Sequence, residues 1–314
     1  MRRVDLLISA SRRATENEEF TATAGIQDSE FLEYLNNGQE EIHSILQSTF
    51  PSILTAYKEE QAVSQQEAYS MPRDLYLGTR IDMIEYSISG RTQDYYLLKK
   101  GQLKERLNTQ AGNPAFYIRR GDQILIQPKP QQSGVIRWSY QRAIPKLDVR
   151  RGTVLSVTLD TVNRTITALS FDPSVDLDAA ALMEEGFITI VDVSGTVKMR
   201  DIPVASVSQT TGVVTLEPGF VYKDGETISV GNYGLKGKFS STNSELPDVC
   251  EKYLLEYCNA RILIRDSQTD SQEVGQILLK VQETLRLAFA EPDNDPDRIP
   301  LLDMQFLGVE DYYP

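Results

Sequence analysis

Few side chains in this sequence are of the kinds that do chemistry, and their spacing limits what they can do. There is one histidine, His43, and there are two cysteines, Cys250 and Cys258, eight positions apart in one helical pattern. A helix rising ~1.5 Å per residue sets those thiols about 12 Å apart along its axis. A disulfide needs Cα atoms within about 7 Å, and with only one imidazole to add, no four-ligand zinc centre can form. The cysteines therefore read as inert core thiols. His43 lies beside an apolar helical stripe, where histidine is far more often packed than catalytic. Asp160, Asp172, Asp176 and Asp178 offer carboxylates for a glycosidase pair, whose retaining form needs carboxyls about 5 Å apart. An acidic surface brings such pairs together without any catalysis. No Gly-rich phosphate loop, Ser-His-Asp arrangement or metal-ligand spacing accompanies them. Arg120-Gly121-Asp122 spells an adhesion tripeptide, but glycine and aspartate are also what a tight hairpin turn requires. The chain is read as a non-enzyme with no catalytic residue, no metal and no cofactor.

Composition narrows the class. A chain of 314 residues with 40% hydrophobic content can bury one substantial core or two to three modest ones. No apolar run approaches the roughly eighteen residues that cross a bilayer, so no membrane is expected. The first fourteen residues hold Leu6-Leu7-Ile8, but Asp5 interrupts them and Arg12-Arg13 stand where a cleavage site would be, so they fail as a signal peptide. A net charge of −13 argues against a protein that reads nucleic-acid sequence, which would show a basic face. It is compatible with a tube through which DNA slides, because an acidic lining repels phosphate. The basic pairs Arg2-Arg3, Arg12-Arg13, Arg119-Arg120 and Arg150-Arg151 read as solvated or as partners of acidic groups on a neighbouring protein.

Hydrophobic periodicity supplies the elements. Residues 1–27 are polar and form an N-terminal arm, read either as a short helix on Val4, Leu7 and Ile8 followed by a loop or as a segment that orders on assembly. Asp28 or Ser29 offers an N-cap, and Phe31, Leu35, Ile42, Ile45 and Leu46 make one helical stripe up to Pro51. From Ser70 to Leu147 short strands dominate. Ile84, Tyr86 and Ile88 alternate, and Tyr95 to Leu98 resumes a strand. Gln102 to Leu107 is helical and ends at Gly112-Asn113-Pro114. Phe116–Ile118 and Ile124–Ile126 form a hairpin across Arg120-Gly121-Asp122, and Ile136, Trp138 and Tyr140 alternate inward.

Residues 151–238 change character. They are rich in Val, Thr, Ser and Gly and predict six or seven short strands in an antiparallel barrel or sandwich. Val154–Leu169 and Val204–Leu216 echo each other as hairpins turning near Asn163-Arg164 and Thr211-Gly212. A block of this kind between strands and helices is most simply a domain inserted at a surface loop. Helix returns at Asn243 or Ser244, with Pro247 in the first turn. Val249, Tyr253, Leu254, Tyr257 and Cys258 line one face up to about Arg265. Val274, Ile277, Leu278, Val281, Leu285 and Ala288 line a second helix, antiparallel to the first. Residues 291–314 combine acidic residues and prolines with Leu301, Leu302, Met304, Phe306, Leu307, Tyr312 and Tyr313, an extended tail suited to a partner groove or a sheet edge. The fold class is therefore α+β: a helical bundle with a small β-rich region (28–150 and 239–290), an inserted antiparallel β-barrel or sandwich (151–238) and an extended C-terminal tail (291–314).

Taken in order, the early helix, Met71-Pro72-Arg73-Asp74-Leu75, Gly112-Asn113-Pro114 with Tyr117, Gln127-Pro128-Lys129-Pro130, Trp138 with Tyr140 and the closing amphipathic helices resemble the head-to-tail adaptor, or head-completion, proteins of tailed bacteriophages, of the short-tailed, podovirus type. The resemblance covers residues 28 to 147 and 244 to 290, and the block at 151–238 departs from it. It implies a structural virion protein of the neck or tail, assembled in the host bacterial cytoplasm. Such proteins form a ring of about twelve copies that joins the portal protein to tail nozzle or tail fibre proteins and continues the channel for double-stranded DNA. The docking residues it implies are Leu301, Leu302, Met304, Phe306, Leu307, Tyr312 and Tyr313 of the tail, with Arg2, Arg3, Arg12 and Arg13 as a portal-facing arm. The competing reading is another neck or tail component, or a glycan-binding tail protein acting through residues 151–238.

Overall fold

The computed structural model describes residues 3–15, 26–50, 54–72, 74–76, 81–88, 91, 94–102, 111–160, 165–174, 177–218, 220, 227–265 and 272–289. The chain opens with helices α1 (Val4–Ala14) and α2 (Asp28–Thr49). Strands β1 (Thr55–Ala62), β2 (Ala68–Ser70), β3 (Ile81–Ser87), β4 (Tyr96–Leu97), β5 (Lys99–Lys100) and β6 (Ala111–Gly112) follow. Next come β7 (Phe116–Arg120), β8 (Gln123–Gln127), β9 (Lys129–Pro130), β10 (Gly134–Gln141) and β11 (Lys146–Leu147). The next stretch holds β12 (Val154–Asp160), β13 (Thr165–Phe171), α3 (Ala179–Glu184), β14 (Phe187–Val191), β15 (Val197–Val207), β16 (Val213–Leu216) and β17 (Tyr233–Lys236). β18 (Ser240–Ser241), α4 (Asp248–Arg265) and α5 (Gln272–Phe289) complete the order.

Three cores result. The first lies among helices: Val4, Leu7 and Ile8 of α1, Phe31, Leu35, Ile42 and Leu46 of α2, Leu254, Cys258 and Ile262 of α4, and Val281 and Leu285 of α5. Of the two readings of the N-terminal segment, a helix over Val4–Ala14 is the one present, packed rather than free. Tyr253 near the start of α4 meets Thr284 near the end of α5, Oη to Oγ1 at 2.6 Å, as an antiparallel pair requires. Gly38 of α2 lies tight against α4: a Cβ there would stand 2.7 Å from Tyr257 Cδ1 and 3.1 Å from Leu254 Cδ1.

The second core lies between two four-stranded sheets, ordered β1-β10-β3-β4 and β2-β8-β7-β5. Ile136, Trp138 and Tyr140 of β10 do point inward, against Ile84, Tyr86 and the β8 isoleucines. β7 and β8 form the expected hairpin, turning at Gly121 with φ +62°, a left-handed conformation that glycine adopts at little cost. Two motifs that are distant in sequence meet here. β6, which begins Gly112-Asn113-Pro114, pairs in parallel with β9 of the Gln-Pro-Lys-Pro step, and Ala115 N–H donates to the Gln127 carbonyl at 2.9 Å.

The third core is enclosed by a curled, six-stranded antiparallel sheet in the order β12-β13-β16-β15-β14-β17. Backbone bonds from Val154 N to Asn232 O and from Gly231 N to Val154 O, both 2.8 Å, bring the stretch entering its last strand back to the start of its first. Both echoed hairpins are present as β12–β13 and β15–β16, the second turning at Gly212 with φ +69°.

Several expectations need correction. Helix α2 is capped by Gln27 without a side-chain bond, and Asp28 is its first helical residue. Ile88 lies beyond the end of β3 and is 47% exposed, because Ser87 closes the strand. In α4 the helix starts at Asp248, after Pro247, so Asn243 and Ser244 are not its cap. Its buried face runs through Cys250, Leu254, Tyr257 and Cys258, and Val249 faces water. Ala288 is exposed too. Strands β1 and β2 and the short helix α3 were not anticipated. The helix expected over Gln102–Leu107, the Asn163-Arg164 turn and the 291–314 tail lie outside the described residues. Among the described residues, no helix is long and apolar enough to cross a membrane.

The Gly38 contact gives a stability test. Gly38→Val is expected to lower stability by about 1–3 kcal/mol through overpacking. The urea midpoint should fall at unchanged slope, and an unmoved midpoint would mean that the helices do not close on this glycine.

Candidate functional site

The segment 142–148 connects the second core to the curled sheet, and α2 holds it by a row of polar side chains. Asn36, Gln39 and His43 recur at helical spacing, which places them on one face of α2. Asn36 accepts from Leu147 N at 2.8 Å and donates to Leu147 O at 3.0 Å. Gln39 donates to Pro145 O at 2.8 Å and accepts from Ser244 Oγ at 3.0 Å. His43 Nε2 lies 3.2 Å from Arg142 O, with its ring edge-on to Tyr76 at 4.5 Å between centroids. Gln39 and His43 are 2% and 3% exposed, so these bonds are satisfied without water. The histidine is thus packed, as its position predicts. Burial pushes its pKa from 6.5 down to about 4. A polar cleft of about 590 Å³ runs along this row, with Glu40, Tyr76, Lys146 and Arg261 among its walls.

Where the segment reaches the curled sheet, Asp148 is nearly withdrawn from water, with 5% of its side chain exposed. It accepts from Arg151 Nη2 at 2.8 Å and from Lys236 N at 2.7 Å, and its own N–H donates to Ser241 O at 3.0 Å. Arg151 also reaches Asp178 at 2.8 Å, and Asp178 caps α3 by accepting from Ala181 N at 3.0 Å. β11 and β18 lie side by side in parallel at this place. Desolvation raises the pKa of Asp148, and the Arg151 bonds pull it part of the way back.

These contacts locate the candidate residues. Among the basic pairs, Arg3 bonds Asp5 at 2.6 Å. Arg12 bonds Asp28 at 2.5 Å and Ile26 O at 2.9 Å and stacks on Phe31. Arg150 donates to Val193 O at 2.6 Å and lies over the Tyr233 ring. Arg3, Arg12 and Arg150 therefore have partners within the chain, whereas Arg119 and Arg120 are exposed, Arg119 donating to Gly121 O at 3.3 Å. Arg13 is exposed and bonds only its own helix, at Ser9 O. Arg2 and the tail residues Leu301, Leu302, Met304, Phe306, Leu307, Tyr312 and Tyr313 lie outside the described residues.

Asp172 is held by Ser174 in its own turn, while Asp178 is engaged in the Arg151 contact. Asp176 lies outside the described residues, and among those described no three His, Cys, Asp or Glu side chains stand within reach of one metal ion. Cys250 and Cys258 are free and buried, and desolvation lifts both thiols to about 11.

Sequence reading missed two features, one buried and one on the surface. The Asn36-Gln39-His43 row was legible as a polar stripe at helical spacing. The outer face of the β1-β10-β3 sheet was not. There Arg137 bonds Glu59 at 3.0 Å, approaches Glu85 at 3.9 Å and stacks on Tyr95 at 3.7 Å.

A model of the SU10 adaptor protein family matches residues 1–184, more than half of the 314 residues. A search of curated proteins gives no match. The matched span takes in α1, α2, both four-stranded sheets and the first two strands of the curled sheet with α3.

Two tests address these networks. Arg151→Met leaves Asp148 buried without its counter-ion and is expected to cost about 3–5 kcal/mol in chemical denaturation. The loss should shrink as pH falls and Asp148 takes up a proton, and Asp148→Asn in the same chain should recover much of it. For His43 the unfolded chain binds a proton near 6.5 and the folded chain only near 4. Stability should therefore fall as pH drops through that interval. His43→Gln should flatten that part of the unfolding profile; a profile identical to wild type would refute the assignment.

Proposed function

This chain belongs to the SU10 adaptor protein family, and we propose that it is a phage structural adaptor whose copies form a ring between portal and tail. In this reading it acts by assembly and carries out no turnover. The observation that carries the proposal is the family match over residues 1–184, which agrees with the order of motifs from Met71-Pro72 to Trp138. The ring, of about twelve copies, continues the DNA channel of the portal, with double-stranded DNA passing through without sequence readout.

The helices, read as a bundle, form the portal-facing part, and the curled sheet, read as a barrel, faces tail nozzle or fibre proteins. A net charge of −13 per copy suits a channel from which phosphate must slide free. Within the N-terminal arm, Arg13 is the described cation best placed to meet an acidic portal surface, since Arg3 and Arg12 are engaged with Asp5 and Asp28. The tail from residue 291 anchors each copy through Leu301, Leu302, Met304, Phe306 and Leu307, with Tyr312 and Tyr313 beyond them. Apolar side chains in that number exceed what a solvated segment needs.

Native mass spectrometry of the protein alone and with a candidate portal ring tests the assignment. The full chain is expected to add to the portal in one fixed, ring-like multiple. A chain lacking residues 291–314 should keep the helical circular dichroism and melting transition of the parent yet fail to join. Normal assembly by the truncated chain would remove the tail from the account, and indifference of the full chain to the portal would remove the adaptor role.

A further inference from the structure

We propose that residues 301–307 of one copy add as a strand along the outward-facing backbone of β1 at Tyr57, Glu59 and Gln61 in a second copy. This inference rests on the ring reading above and names the surface the tail takes.

β1 is the long, unguarded edge among the described residues. It pairs with β10 over eight consecutive positions, Thr55↔Gln141 to Ala62↔Gly134, with no bulge and no proline. Its register fixes which backbone groups face outward. Arg142 N–H donates to Leu54 O at 3.0 Å, which makes Leu54 opposite Arg142 a hydrogen-bonded pair. In an antiparallel ladder such pairs alternate, so Ala56, Lys58, Glu60 and Ala62 bond β10. The N–H and C=O groups of Tyr57, Glu59 and Gln61 point away from it. Among the described residues no strand lies on that side. Tyr57 is 71% exposed.

The charges that commonly guard an edge are turned to other uses here. Glu59 is drawn to Arg137 on the neighbouring strand, and Lys58 bonds Glu60 at 3.1 Å. The competing edges are poorer templates. β2, β4 and β5 have two or three residues, β17 has four, and β12 is broken by register shifts at two places.

The occupant must be extended, apolar on alternate positions and about as long as the edge. Leu301-Leu302-Asp303-Met304-Gln305-Phe306-Leu307 places Leu302, Met304 and Phe306 on one face of a strand. Its seven residues match the eight of β1. Residues 290–300 lie between the end of α5 and this segment, and eleven residues reach at most about 36–40 Å, enough to leave one copy for the next. Symmetry favours the tail over a second β1. Pairing β1 with β1 is isologous and stops at a dimer, whereas donating a tail to the next copy's edge is heterologous, the type of contact a ring requires.

The test places one cysteine at Tyr57→Cys and a second at each position from 301 to 307 in turn, in the full chain with the portal ring present. The native thiols do not interfere, being buried and lifted to about 11. Oxidation is expected to give a ladder of covalently joined copies, confined to tail positions of one parity, because only alternate residues of an added strand share the face of Tyr57. Tyr57→Pro should remove an outward N–H while leaving the β10 ladder; it should melt like wild type and assemble as poorly as the truncated chain. If rings form by native mass but no tail position links, or if all link without alternation, the inference is overturned and the ring stands. A link within single chains overturns the exchange between copies. Absence of any ring on the portal overturns both readings.

Discussion

The architecture depends on one short stretch of backbone, residues 142–148, being kept dry and hydrogen-bonded. Apart from the two-residue pairing of β11 with β18 this connecting segment has little ladder of its own, and each unpaired buried N–H or C=O costs about 1–3 kcal/mol. Helix α2 supplies the missing partners with Asn36, Gln39 and His43, and β18 supplies one more at Ser241. Asp148 then turns the same segment into the curled sheet by accepting from Arg151 and Lys236 N. The three cores are thereby registered by polar contacts, whose geometry is fixed by direction. Apolar contacts alone would let such units slide, because they carry no direction.

This division explains what was legible in the sequence. The stripes of α2 and α5, the inward alternation on β10 and the β7–β8 hairpin follow from periods of 3.6 and 2, which one buried face imposes on each element. β1 carries no such signal. Thr-Ala-Tyr-Lys-Glu-Glu-Gln-Ala is polar on both faces because one side of the strand has no sheet neighbour and its charges are spent on Arg137 and on each other. Helix α3 is a single capped turn and a half, too short for a stripe to repeat. In α4 the apolar face was placed one residue early, with Val249 for Cys250. A thiol is less apolar than valine, yet Cys250 is buried in the helical core and Val249 is not.

The candidate site was legible in its composition and not in its pairing. Adjacent arginines read as surface charge awaiting a partner, yet Arg12 finds Asp28 sixteen residues on and Arg151 finds Asp148 and Asp178. Long-range pairs of this kind leave no trace in local spacing. The Asp148–Arg151 pair, three apart, did leave one. The Met71-Pro72 and Gly112-Asn113-Pro114 motifs were visible as letters, but their reasons appear only in space. Asp74 accepts from Tyr140 Oη at 2.9 Å, and the strand that leads into Asn113 pairs with that of Lys129.

With these cations held inside the chain, the surface keeps the excess of acid that gives −13 per copy. In the ring proposed above, copies brought side by side would repel one another, and the exposed pair Arg119-Arg120 could offset only part of that charge. Contacts indifferent to charge would suit the bond between such copies. Backbone hydrogen bonds to an edge strand and apolar side chains on an added strand are of that kind. Their strength does not fade when like charges surround them, and an alternating segment specifies register as well as affinity. A tail whose sequence is acidic near its root and apolar at 301–307 would suit the contact proposed above.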